Sequence, residues 1–295
     1  MPWRLPINCL RVCNLRGLFD LLNIMLLFSR KKLWVAFCGI LVTCQFVCGA
    51  ADFHKPSLVI YALRYAADSL YPASSVFIDH HDHTQLPFSW IAYLILADNK
   101  AILIDTGFSN QKYQKIYHIH QLFPISGLLA QVGLSVQNVT DVILTHSHMD
   151  HTGNIGLFSQ AHFFIQQDEY VAMQKNSFLK TQLQRMGAGR RTIFKNNHSL
   201  GHGVRIRRIG GHTKGSCLVE FIGRQQEFLF SGDNCYLQEN CRKKRYIANA
   251  VNPKENRKFI DAYYDYPGVI LTHHDPNILK QSKQITENVF LVYQE

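Results

Sequence analysis

The sequence predicts an α+β protein whose mixed sheets carry helices on their outer faces. Three observations lead there. Strand-like runs recur from residue 57 to the C-terminal end. Helical stretches fall between those runs in both halves. The chain has 295 residues, 47% hydrophobic and 18% charged, which is enough to bury a large core. Nine Pro and eighteen Gly exclude a low-complexity or collagen-like chain.

The first element is a leader. Arg30-Lys31-Lys32 precede an apolar run from Leu33 to Cys48 and the small residues Gly49-Ala50-Ala51. A basic start, a short apolar centre and a small-residue exit are the layout of a secretory signal peptide. The run is short for a membrane span, which needs about 20 apolar residues. The expectation is a leader over 1–50, with Met25 as the working start, and a mature domain over 51–295 that is periplasmic or secreted. An uncleaved anchor is the alternative. No stable membrane insertion is expected after cleavage.

Charge alone would suggest nucleic acid, but its distribution removes much of that. The net charge is +10, but residues 1–50 hold Arg4, Arg11, Arg16, Arg30, Lys31 and Lys32 against Asp20 alone. Half of the surplus therefore lies in the leader, and no nucleic-acid partner is called for. Five of the eight cysteines also lie there, leaving Cys217, Cys235 and Cys241. Three are too few for a disulfide-built scaffold. The spacing of Cys235 and Cys241 leaves their pairing open.

Beyond the leader, residues 58–65, 89–96 and 101–104 are rich in β-branched and aromatic side chains and read as strands. Asp98-Asn99 is placed to turn a hairpin between the last two. Residues 111–122 and 125–133 read as helices, and 141–145 as a short buried strand. Strands continue at 163–165, 204–209, 217–222, 227–231 and 269–272. Asn252-Pro253 opens a helix to about Tyr266, which Pro267-Gly268 ends. Residues 176–202, polar and basic, read as an insertion between two halves of one domain.

The chemistry is concentrated at strand ends. His146-Ser-His148-Met-Asp150-His151 follows the strand at 141–145. In an extended segment His146 and His148 point the same way, so both can reach one ion, while Asp150 and His151 can reach a second. His212, Asp233 and the pair His273-His274 each follow another strand. A His/Asp set with open positions is unlike a closed, Cys-rich structural zinc site. Asp79-His80-His81-Asp82-His83 also looks like a metal tract, but it precedes Pro87 in a loop and reads as solvated. The basic clusters 205–208 and 242–245 read as solvated faces.

This order and spacing over roughly residues 57–293 resembles the metallo-β-lactamase fold superfamily. The resemblance implies an αββα sandwich with a dinuclear site at one edge. By motif match, His146, His148 and His212 would hold one ion; Asp150, His151 and His274 would hold the other. Asp233 would bridge them, and an acid there argues against β-lactam hydrolysis. His274 takes the last position because Asp275-Pro276 follows it.

A narrower resemblance is to the N-acyl homoserine lactonases. It rests on Tyr61-Ala-Leu-Arg-Tyr65, Leu103-Ile-Asp105-Thr-Gly-Phe108, Gly210-Gly-His-Thr213, Ser231-Gly-Asp233-Asn-Cys-Tyr236 and His274-Asp275-Pro276. The chain departs from that family with Lys214 where Pro is usual and with Thr272-His273 before the last ligand. The resemblance implies a quorum-quenching lactonase that opens a small-molecule lactone or ester. Its cofactors would be two divalent ions, Zn2+ by preference, with Mn, Fe or Co also suited to such ligands. Two ions sharing a water supply hydroxide near neutral pH. Tyr236 would donate to the developing oxyanion, and Asp150 would carry a proton to the leaving alkoxide. Asp105 reads equally as an orienter of a ligand histidine and as a turn residue. The alternatives are a thioesterase or esterase of the glyoxalase II type and a non-catalytic metal-binding protein on the same fold. A homodimer is left open.

Overall fold

Trp90, Ala92 and Leu94 alternate with Ile91, Tyr93 and Ile95, and all six are buried. A strand with both faces buried must lie between two layers. The computed structural model describes residues 58–186 and 188–295; the leader and Met25 lie outside them. The first sheet has eight strands: β1 (Val59–Pro72), β2 (Gln85–Ala97), β3 (Lys100–Ile104), β4 (Asp141–Ile143), β5 (His162–Gln166), β6 (Arg191–Phe194), β12 (Lys283–Gln284) and β13 (Val289–Gln294). Their order is β12-β13-β1-β2-β3-β4-β5-β6. The second sheet has five: β7 (Asn197–Gly201), β8 (Val204–Arg208), β9 (Cys217–Ile222), β10 (Glu227–Phe230) and β11 (Val269–Leu271), in the order β11-β10-β9-β8-β7.

The helices are α1 (Ala73–Val76), α2 (Gln111–Ile116), α3 (Ile125–Gln131), α4 (Met149–Thr152), α5 (Gln167–Lys175), α6 (Ser177–Arg185), α7 (Gln238–Arg242), α8 (Pro253–Tyr263) and α9 (Pro276–Gln281). Three apolar layers account for the stacking. Ile91, Tyr93 and Ile95 of β2 meet Ile206, Val219 and Phe230 of the second sheet in the middle layer. Trp90, Ala92 and Leu94 face the other way, onto Leu128 and Leu129 of α3 and Met173 of α5. On the far side Leu218, Leu229 and Ile270 pack with Phe259 and Ile260 of α8. The result is the αββα sandwich implied by the resemblance, and both sheets fall in one unit, Pro56–Glu295.

Parallel pairing puts the chemistry on one edge. Ile104 of β3 lies beside Ile143 of β4, and Phe230 of β10 lies beside Leu271 of β11. The segments that leave these four strand ends carry Asp105, His146, Asp233 and His274, where ligands gather in parallel sheets.

The hairpin at Asp98-Asn99 forms, with Asp98 at φ 53°. The Asn252 side chain accepts the Glu255 N–H and caps α8, which stops at Tyr263, short of Tyr266. Two expectations are corrected. The helix read over 111–122 ends at Ile116, because the chain from Tyr117 folds back onto β1: Phe123 N–H bonds to Tyr65 O, and Ala67 N–H to Gln121 O. Residues 176–202 are not an insertion. They supply α6 and the edge strands β6 and β7 of the two sheets, and edge strands facing solvent are polar for that reason. Among the described residues, no helix is long and apolar enough to cross a membrane.

Candidate metal centre

The turn after β3 begins the site. Asp105 sits at φ 60°, a left-handed conformation that aspartate tolerates better than most residues. Its Oδ1 accepts the Thr145 N–H at 2.8 Å, and its Oδ2 accepts the Thr145 hydroxyl at 2.7 Å. Oδ2 is also 2.7 Å from Nδ1 of His151, carried on the short helix α4. Asp105 is thus both a turn residue and an orienter of a histidine. Burial alone would raise its proton affinity, but His151 and His273 outweigh that and hold the carboxyl well below the usual range.

Two groups of side chains converge beyond it. In each, the donor atoms lie within 4.8 Å of one another: His146, His148, His212 and Asp233 in the first, and Asp150, His151, His274 and Asp233 in the second. Asp233 belongs to both. Its Oδ2 is 3.6 Å from His146 Nε2 and 3.5 Å from His212 Nε2; its Oδ1 is 3.2 Å from Nε2 of both His151 and His274. Every residue expected at the site is therefore in these two groups or, as with Tyr236, against them.

The outer nitrogens explain how the rings are aimed. His274 Nδ1–H donates to Ser89 O at 2.9 Å, His212 Nδ1–H to Asn249 O at 3.1 Å, and His151 Nδ1–H to Asp105. Each bond turns Nε2 inward. His146 Nδ1 is 3.1 Å from Thr145 Oγ1, which itself donates to Asp105, so this one carboxylate steadies both groups. Gly211 stands at φ 87°, and a Cβ there would lie 2.3 Å from Asn234 Oδ1; only glycine makes the turn that delivers His212.

A metal ion fits these donors. His146 Nε2 is buried without a hydrogen-bond partner, a state that costs about 1–3 kcal/mol unless something takes the lone pair. His148 Nδ1 and His212 Nε2 face each other at 2.9 Å. Burial pushes His212 down to about 4 and carries His146 well below its ordinary value, so both are ready as neutral ligands. His151 behaves oppositely. Burial would lower it, but Asp233, Asp150 and Asp105 together pull it well above its ordinary value.

A cavity of about 280 Å³ opens over both groups. Tyr71, Phe88, Trp90 and Tyr117 form one wall, and Tyr236, Asn249 and Val251 line another part. Phe88 stacks on the His274 ring at 4.3 Å. The Tyr236 hydroxyl is 3.3 Å from His212 Nδ1, and burial, with Asp233 nearby, raises the phenol well above its usual range, so it keeps its proton. Tyr236 also sits between Cys235 and Cys241, which form a disulfide; Cys217 is free and buried.

A sequence profile of the metallo-beta-lactamase superfamily matches residues 92–245, half of the chain, and takes in both groups except His274. The chain belongs to this superfamily. An N-acyl homoserine lactonase of Bacillus cereus is 27% identical over 164 residues, covering 50% of this chain and 64% of that protein. The lactonase AiiB of Agrobacterium fabrum is 25% identical over 179 residues, with the same coverages. The match thus spans less than two thirds of these relatives' length. Among solved structures, a quorum-quenching N-acyl homoserine lactone lactonase superposes with a TM-score of 0.65 at 21% identity, over 76% of this chain and 94% of that one. AidC, a dizinc quorum-quenching lactonase, gives 0.60 at 16%, over 74% and 88%. At these identities the structures show a shared metallo-beta-lactamase fold.

Other residues fall where spacing could not place them. His273, the rival for the last ligand position, turns to Asp105 instead, its Nε2 3.1 Å from Oδ2. The tract 79–83 stays outside both groups: Asp79 pairs with Arg245 at 3.0 Å, and His80 with Asp82 at 2.8 Å. Arg242 and Arg245 are not merely solvated, since Arg242 bonds to Gly268 O at 2.7 Å. Three contributors went unread: Tyr117, whose hydroxyl is 3.3 Å from Asp150 Oδ1; Tyr65, whose hydroxyl donates to Asp150 O at 2.9 Å; and Glu169. Tyr65 closes the motif Tyr61-Ala-Leu-Arg-Tyr65, but neither Tyr117 nor Glu169 belongs to a motif, and each of the three acts from a distant part of the chain.

Proposed function

We propose that this chain is a metal-dependent lactonase opening neutral lactones with an apolar substituent, N-acyl homoserine lactones above all, and hence a quorum-quenching enzyme. The observation that carries this reading is the cavity lining. Among the described residues it includes four aromatic side chains on one wall and no Lys or Arg. An aromatic wall suits an acyl tail. A glutathione-type thioester or a phosphodiester carries negative charge, and recognition of such a group ordinarily uses Arg or Lys. The lactonase relatives support the same choice.

In this reading His146, His148 and His212 would hold one ion and Asp150, His151 and His274 the other, with Asp233 available to each group. When bound, such ions supply Lewis acidity and lower the pKa of water toward neutrality; zinc is the first choice for these donors. The chain's own residues do the rest. As water adds to the lactone carbonyl carbon, Tyr236 donates its O–H to the oxygen that gains charge. Asp150 accepts the proton released by the water and passes it to the alkoxide as the ring C–O bond breaks. The Tyr117 hydroxyl at Asp150 Oδ1 leaves Oδ2 directed at His151 and His274. The aromatic wall packs the tail and excludes water.

Action outside the cytoplasm is part of the proposal. It rests on the leader and on the Cys235–Cys241 disulfide, since disulfides persist in oxidising compartments. A pH-stat assay of the purified mature protein against N-acyl homoserine lactones, thioesters and phosphodiesters tests the activity. Lactone opening well above the other two is expected; turnover of thioesters or phosphodiesters alone would reject it.

A further inference from the structure

Glu169 lies in the first turn of α5, is 2% exposed, and has no part in the reaction just described. Its Oε2 accepts the Ser147 N–H at 2.7 Å. Its Oε1 accepts the Gly215 N–H at 2.7 Å and the Thr213 hydroxyl at 2.8 Å. Ser147 stands between His146 and His148; Thr213 and Gly215 follow His212. One carboxylate therefore ties together the two loops that bring all three histidines of the first group.

The surroundings are built for that contact. A buried carboxylate is costly unless it is bonded, and three donors meet this one. Lys214, next to two of the donors, turns outward to pair with Asp168 at 2.6 Å. A Cβ on Gly215 would lie 2.0 Å from Gln166 Oε1 and 2.9 Å from Glu169 Oε1, so glycine gives the loop room to come this close. The second group is fastened differently. His151 hangs on Asp105, His274 on Ser89 O, and Asp150 on Tyr117 and Tyr65.

We propose that Glu169 is a positioning residue that sets the spacing of the His146–His148 and His212 loops, and so the affinity of the first group for its ion. The inference rests on the two-ion reading and not on the choice of a lactone. Glu169→Gln isolates it. The amide keeps the size of the side chain but has one accepting oxygen, so one of the two loops must face an NH2 group.

Zinc is titrated into metal-free protein against a competing chelator, comparing wild type, Glu169→Gln and His148→Ala, the last marking the first group's binding step. Glu169→Gln is expected to weaken the marked step by about 10–100-fold and leave the other unchanged. In the metal-free protein the Ser147 and Gly215 amides should also exchange faster than in wild type. If Glu169→Gln does not fold, Thr213→Val removes one of the three bonds and is expected to weaken the same step, less strongly. Wild-type affinity at both steps in the folding variant, or equal weakening of both, overturns the proposal. A wild type that takes up no zinc overturns the two-ion reading and this proposal together.

Discussion

The two halves of the metal centre are built by different means. In the second group Asp150, His151 and His274 are all buried. Each is fixed through its own side chain or backbone by a specific partner from another element. In the first group His148 is exposed, and its side-chain hydrogen bond reaches only His212. The His146 and His212 rings are aimed by Thr145 and by Asn249 O, but His148 depends on its loop, which Glu169 ties to the His212 loop through backbone N–H groups. A group with every ring fixed is set before an ion arrives, whereas one with a ring held only through its loop can open. The ion of the first group should therefore exchange faster, and the second should be the permanent one.

The most damaging substitution removes what the halves share. Asp233→Ala is expected to lose both ions and to reduce hydrolysis to background, since Oδ1 and Oδ2 face different groups. A variant carrying two ions with near-native turnover would break the comparison at its root. Asp105→Asn comes next. Asp105 reaches His151 directly and His146 through Thr145, so chelator competition should show metal affinity reduced about 10–100-fold in both groups. An effect confined to one group would limit Asp105 to that half.

The sequence made one half of this construction legible and not the other. Ligands were readable because the dense 146–151 motif and strand-end residues announce themselves by spacing, and strand ends converge on one edge whenever the pairing is parallel. Ser89–Leu96 was readable as a buried strand because every residue in it is apolar or small. The supports were not readable. Glu169 is one acid in an ordinary helix, and Tyr117 lies in what periodicity took for a helix that in fact stops one residue earlier. Residues 176–202 looked like an insertion because polarity marks an edge strand and a loop alike.

Tyr236→Phe probes the side of the first group that faces the cavity. With metal content unchanged, kcat should fall by about 10²-fold or less, because an oxyanion donor acts in the transition state and the ions share that charge. Unchanged kcat and kcat/KM on every lactone would assign Tyr236 to packing alone. The smallest effect separates the halves by protons. Without metal, burial at His151 is outweighed by Asp233, Asp150 and Asp105, which raise it well above its ordinary value, whereas burial lowers His146 and His212, so proton displacement by a metal ion belongs more to the second group than to the first. Calorimetry in buffers of different ionisation enthalpy should show more proton release at the step that survives His148→Ala than at the other. Greater release at the other step would reverse the assignment.

The most direct measurement joins the metal to the chemistry in one sample. Bound metal per chain is counted by elemental analysis while proton release from an N-acyl homoserine lactone is followed on the same protein, before chelation, after it and after zinc is restored. Two ions per chain are expected, with lactone opening lost on chelation and recovered with the metal. Full lactone opening by protein stripped of its ions, or two ions per chain with no lactone opened, would contradict this account.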